Sequence, residues 1–310
     1  MQTILGASGQ IARELARELG RGYTRDLRLV SRNPQPVNGT DTVQRADLLD
    51  AEQTRAAVAG SGVVYFTAGL PPDTRLWETQ FPVMLRNALD ASRAAGAKFA
   101  YFDNTYMYPQ NGDRQTEETP FAPVGRKGEV RAQMATMVLA EMTRGDIPVL
   151  IARAPEFYGP GRTQSFTNSL VLDRLIEGRR ALVPVRDDRC RTLIWTPDAS
   201  RGLAALGNAA DAYGQTWHLP VDDSGPTYRQ LVVMAAEVFN REPRYTVVPK
   251  WLFAALGAVN PRAREIRELL PRYAHDNLFD ASKFVERFPD FAVTGYREGL
   301  GVIASAAGRG

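Results

Sequence analysis

Through the first half of the chain, short apolar runs alternate with stretches of helical periodicity, and turn residues mark each change. "QTIL" passes through "GASG" into "QIARELAREL", where Ile11, Leu15 and Leu19 recur every four residues before Gly20 closes the helix. "LRLVSR" and "TVQRAD" predict the second and third strands. After the helix "AEQTRAAVAG", the unbroken apolar run in "VVYFTAG" suits a strand covered on both faces. A long helix from about Arg75 to Ala95, the strand "KFAYFDN", a helix from about Lys127 to Thr143 and the strand "PVLIAR" complete the series. Six strands with intervening helices predict an α/β fold: a Rossmann-like, doubly wound parallel sheet over residues 1–153.

Beyond Arg153 the rhythm changes. "APEFYGPG" is a Pro/Gly-rich loop, "FTNSLVLDRLIEG" a helix, "ALVPV" and "CRTLIW" strands, and "TPDASRGLAALGN" a helix capped near Thr196 or Asp198. "WHLP", the helix "TYRQLVVMAAEVFN", the strand "RYTVVP" and three further helical stretches follow. Residues 154–310 therefore read mainly as a smaller α/β substrate lobe, with part of this later chain returning to the first domain.

Composition narrows the function. The 310 residues can bury a large core, and a net charge of +3 is too small to indicate nucleic-acid binding. One cysteine, Cys190, precludes an internal disulfide, and with only His218 and His275 a metal site is not expected. No apolar run approaches the ~20 residues that span a bilayer, so no membrane partner is expected. Because the first strand begins at residue 2, a cytoplasmic protein is expected.

The first strand-to-helix loop has a chemical reading. Backbone N–H groups and the positive end of a helix dipole favour a pyrophosphate, and glycines permit close approach. Gly6, Ala7, Ser8, Gly9, Gln10 and Ile11 are the expected cradle; the alternative is a tight turn only. The second strand ends in Ser31-Arg32-Asn33, without the carboxylate that would hold a ribose 2′-hydroxyl. Ser31 and Arg32 thus favour NADP(H) over NAD(H), unless Arg32 is a solvated loop cation. Asp47 could accept from the adenine amino group with Leu48 against the ring; its alternative role is a helix cap.

"GASGQIA", "ADL", "YFTAG", "YFDNTYMYP", "RAPEFYGPG", "RTLIWTPD" and "FDASKFVERFP" follow one another in the order found in extended or atypical short-chain dehydrogenase/reductases of the NAD(P)-dependent epimerase/dehydratase type, which the chain resembles over nearly its whole length. The resemblance implies a Rossmann-like nucleotide domain, a C-terminal lobe that shapes the substrate pocket, and Thr67, Ala68, Gly69 and Pro155 beside the ribose and nicotinamide. It also implies a homodimer through the two long helices. That family supplies its proton from the tyrosine of a YxxxK motif and polarises the carbonyl with a Ser or Thr. Counting back from Tyr108, Asn104 fills the hydroxyl position.

In "PFAPVGRKGEVRAQM" the tyrosine is missing. Aligned on the lysine, Pro123 stands in its place and Lys127 takes the lysine position; aligned on the PxG context, Val124 and Gly128 do. The first alignment is preferred, because Lys127 with Arg131 also resembles the KxxxR of isoflavone-reductase-like and NmrA-like proteins. Lys127 is then the expected ribose ligand and proton or charge donor, the alternative being an exposed first-turn lysine. Tyr106, Tyr108 and Tyr158 are candidate replacement acids. Arg131 is a pocket or ion-pair residue, and Arg191 sits where nucleotide-sugar epimerases often hold a substrate phosphate. Val130, Met134, Met137, Val138 and Met142 predict a core face or dimer seam. The expected activity is an NADP(H)-dependent oxidoreductase or epimerase on a small carbonyl- or hydroxyl-bearing substrate. Its rivals are a non-catalytic dinucleotide-binding regulator and a redox-neutral enzyme.

Overall fold

The computed structural model describes residues 1–161, 163, 165–259, 265 and 267–308. The chain divides into two compact units: Met1–Met107, Arg126–Ala154 and Ala199–Leu219 form the first, and Tyr108–Gly125, Pro155–Asp198 and Pro220–Gly310 the second.

In the first unit β1 (Gln2–Leu5), β2 (Leu27–Ser31), β3 (Thr42–Arg45), β4 (Val63–Phe66), β5 (Lys98–Asp103), β7 (Val149–Arg153) and β11 (Thr216–His218) form one sheet in the order β11-β7-β5-β4-β1-β2-β3. Every pairing is parallel. The helices are α1 (Gln10–Gly22), α2 (Ala51–Val58), α3 (Thr74–Ala95), α4 (Gly125–Arg144) and α6 (Thr196–Asn208), the last entering this unit at Ala199. Asp50 and Asp73 cap α2 and α3 by accepting from Gln53 and Leu76 backbone N–H groups. The cap role held open for Asp47 thus belongs to Asp50. Chain order reverses between β1 and β4, which places a crevice beyond their C-terminal ends.

Six strands were expected and seven are present. All five residues of β7 are buried, so its outer edge needs a partner; "TWH" supplies one, Trp217 facing Ala152 and His218 facing Arg153 in register. The apolar face of α4 proves to be core: Val130, Met134 and Val138 are buried with Phe66, Phe99 and Ile151, and Met137 and Met142 pack partly against them. At α4's far end Arg93 of α3 grips the buried Glu141 with two hydrogen bonds, 2.7 and 3.1 Å.

The second unit is built from paired short strands: β8 (Glu156–Tyr158) with β10 (Leu193–Trp195), β9 (Ala181–Pro184) with β12 (Tyr245–Val248), and β6 (Arg114–Gln115) with β13 (Leu278–Phe279). Its core joins Tyr158, Leu175, Val183, Trp195, Leu231 and Leu300. "FTNSLVLDRLIEG" differs from the regular helix expected: it opens as a π-helix over Thr167–Leu172 before α5 (Asp173–Ile176). Asn168 holds both backbone groups of Gly159, and Thr167 bonds the Glu156 carboxylate, drawing this turn toward β8. The helix α7 (Tyr228–Phe239) starts with a Thr227–Gln230 capping box.

Candidate functional site

Leu5 and Phe66 are in register, so the two loops beyond them emerge side by side. Gly6 turns the chain with φ +92°, and a Cβ there would lie 2.5 Å from the Ala68 Cα. Only glycine fits that conformation and that contact. Gly9 caps α1 without a side-chain acceptor, and no acidic residue stands in the first turn. The N–H groups of Ile11 and Ala12 have no intrahelical carbonyl to reach, so the dipole's positive end is left for an anion. A Cβ at Gly9 would meet only the Gly6 carbonyl oxygen at 3.5 Å, and one at Gly69 nothing within 4 Å. Both positions leave the backbone open to close approach.

One strand over, Ser31 shares a hydrogen bond with Ser8 (2.8 Å), tying the loop to the end of β2. Arg32 is exposed and makes no hydrogen bond or ion pair with the described residues. Asp47 accepts from the Leu49 N–H, and Leu48 is buried in the core with its carbonyl taken by Asn87. The Thr67 hydroxyl donates to the Leu5 carbonyl, a strand-locking role.

Further along the same C-terminal edge stand the residues expected to do chemistry. Lys127 is fully buried in the first turn of α4, not the exposed first-turn lysine that was its alternative, and its Nζ donates to the Thr74 hydroxyl at 2.6 Å. Asn104 is half-buried; its carbonyl accepts from the Tyr106 N–H, while its amide nitrogen makes no hydrogen bond with the described residues. Tyr106 stacks on Trp77 with centroids 6.0 Å apart. Of the two roles expected for Arg131, pocket or ion pair, the ion pair is present. It is buried, donates to Asp103 at 2.9 Å and lies over the Phe81 and Tyr101 rings. Arg153 donates to the other Asp103 oxygen at 3.1 Å. One buried carboxylate therefore holds two guanidinium groups from α4 and β7.

In the second unit, Tyr158 and Arg191 are both buried. Tyr158 is buried between Trp195 and Tyr296, its hydroxyl without a partner, and burial pushes its phenol far above the ordinary value. The phenol therefore keeps its proton within the core of the second unit. Arg191 is not open for bidentate phosphate binding. It is 1 % exposed, its terminal nitrogens donate to Glu156 (2.7 Å) and to the Arg272 carbonyl (2.8 Å), and it stacks on Tyr273. Pro155 opens the same segment, and Tyr108 packs on Phe121.

The profile of the NAD dependent epimerase/dehydratase family matches residues 3–215, more than half of the chain. The chain belongs to this family. Among curated relatives of this family member, ceramide reductase of Caulobacter vibrioides is 28% identical over 252 residues, covering 79% of this chain and 73% of that one. Protein y4nL of Sinorhizobium fredii is 25% identical over 216 residues, which span 67% of this chain and 60% of that relative's length. Among solved structures, MoeE5 in complex with UDP-glucuronic acid and NAD superposes with a TM-score of 0.79 at 21% identity, covering 99% of both chains. UDP-glucuronic acid 4-epimerase from Bacillus cereus, in complex with NAD, gives 0.78 at 15% identity over 100% and 99%. These structural likenesses carry the fold.

Sequence reasoning missed Asp103, Thr74 and Glu156 in this family member. A carboxylate ending the apolar strand "KFAYFD", and another inside "RAPEFYGPG", were the available signals. Their partners lie 28 to 53 residues away or more, beyond any local pattern. Among the described residues no group of His, Cys, Asp and Glu could hold a metal, and no helix is long and apolar enough to cross a membrane.

Proposed function

We propose that this epimerase/dehydratase family member binds NADP(H) in preference to NAD(H) and acts as an oxidoreductase or epimerase on a carbonyl- or hydroxyl-bearing substrate. The observation that carries the reading is the uncapped start of α1 at Gly9, opposite a β2 that ends in Ser31 and an exposed Arg32 with no carboxylate. A pyrophosphate suits the first, a 2′-phosphate the second. NAD in the complexes of MoeE5 and the Bacillus epimerase supports a nicotinamide dinucleotide, and the ceramide reductase relative supports reduction. Bound there, the dinucleotide would supply or accept a hydride. The chain's own task is then to orient the reacting oxygen through the Asn104 amide and to hold or donate its proton through Lys127, since position 123 is proline.

Titration of NADPH and NADH into the protein tests the cofactor preference. NADPH is expected to bind more tightly, and Arg32→Ala to weaken it roughly tenfold to a hundredfold while barely moving NADH, the loss of a charge-assisted phosphate contact. Equal affinities in both proteins would overturn the preference. The absence of a tyrosine at 123 and the burial of Tyr158 favour a second reading, a dinucleotide-binding regulator. NADPH that binds but is never consumed with aldehydes, ketones or enones would support it.

A further inference from the structure

In the second unit the chain leaves β12 through Pro249 and enters the helix α8 (Lys250–Val259), "KWLFAALGAV". Lys250 is its one charged residue, and from Trp251 to Val259 no side chain is polar, so whichever side of α8 faces outward is apolar. A helix with no polar face is ordinarily enclosed by protein. Protein encloses α8 at Phe253, which is buried against Val248 and Leu270 with Leu252 packed partly beside them. Trp251 and Ala255, four residues apart and so on one face, are exposed. At 69% Trp251 is the most exposed large apolar side chain among the described residues.

The charge around this helix says what would cover it. Residues 241–268 carry Arg241, Arg244 and Lys250 before the apolar stretch and Arg262, Arg264 and Arg267 after it, against three acidic residues. That net +3 equals the charge of the whole chain, so the remainder is neutral. A second copy of the same face would set these cations against one another. Anionic lipid would attract them, and an indole favours the headgroup level, where one edge is wet and the other apolar. We propose that α8 docks the protein on an anionic lipid surface, with Trp251 seated among the headgroups. Ten residues make a helix only ~15 Å long, half of the ~30 Å hydrocarbon core, so α8 lies on the membrane and does not cross it. The expectation of no membrane partner was argued from spanning length alone, and surface docking needs no such length. This inference goes beyond the proposed chemistry and is independent of the dinucleotide.

Co-sedimentation of the full chain with lipid vesicles tests it. The wild type should bind vesicles of phosphatidylcholine mixed with phosphatidylglycerol roughly tenfold more tightly than vesicles of phosphatidylcholine alone, and high salt should release it from the former. Trp251→Glu should weaken binding to the anionic vesicles roughly tenfold, with thermal melting unchanged because the side chain replaced is exposed. Trp77, Trp195 and Trp217 are buried, so Trp251 reports separately: anionic vesicles should shift its emission to the blue and shield it from acrylamide. Equal binding to both kinds of vesicle, equal binding by wild type and Trp251→Glu, or an emission that vesicles leave unchanged overturns the proposal. So does a halved sedimenting mass for Trp251→Glu in the absence of lipid, which would make a second copy the occupant of this face. Should Trp251→Glu fail to fold, the wild type's vesicle preference and its emission shift decide by themselves.

Discussion

Gly6 is the residue whose role was most legible in advance, because everything that defines it is local: the strand before it, the helix after it and the turn between. The structure adds the Ala68 backbone as the reason no side chain fits. Gly6→Ala should therefore cost about 1–3 kcal/mol of stability and abolish dinucleotide binding, read by thermal melting and by NADPH titration. Lys127 was legible by position but not by environment. Its Nζ is buried against Thr74, so Lys127→Met should lower kcat by roughly 10²–10⁴-fold, whereas Thr74→Val, which only loosens the lysine, should lower it far less. Equal kcat for Lys127→Met and the wild type would remove Lys127 from the chemistry. Arg131 was left between pocket and ion pair, and Arg191 was read as a phosphate ligand, for a common reason. An arginine's availability is set by the carboxylate that reaches it, and Asp103 and Glu156 come from strands that only folding brings near.

Elements carry the next set of consequences. Asp103 ends β5 and joins it to α4 and β7 through Arg131 and Arg153. Removing that charge leaves two buried guanidinium groups uncompensated, so Asp103→Asn should cost about 3–5 kcal/mol in a denaturant titration. For Glu156, burial alone would raise the carboxyl, but Arg191 and Arg272 outweigh it and hold the group below its ordinary 4.5. A lowered value in the folded state means the contribution is complete above about pH 4.5 and fades as pH falls through the folded value. The stability gap between wild type and Glu156→Gln should accordingly shrink on acidification, measured by melting between neutral pH and pH 3. The alternation of strand and helix in the first unit was readable because each element shows its own period. The π-helical turn was not, since what widens it is the pull of Gly159 and Glu156 on Asn168 and Thr167.

For the whole molecule, a homodimer through α3 and α4 remains our proposal. Val83 on α3 stands 43% exposed, while α4's apolar residues are spent largely on the core. Sedimentation should give twice the chain mass, and Val83→Glu should shift it toward monomer. The parallel sheet as a class was legible, and so was the return of a later stretch to the first unit; the strand that stretch would pair with was not, because β11 arrives some sixty residues after β7. That late arrival has a practical bearing on anyone who would express the amino-terminal half by itself. A product severed at residue 153 would carry β7 as a raw border of unsatisfied amides and carbonyls, and such a ribbon invites other copies to zip onto it. Insoluble material from that truncation, beside a soluble full chain, is the outcome to expect.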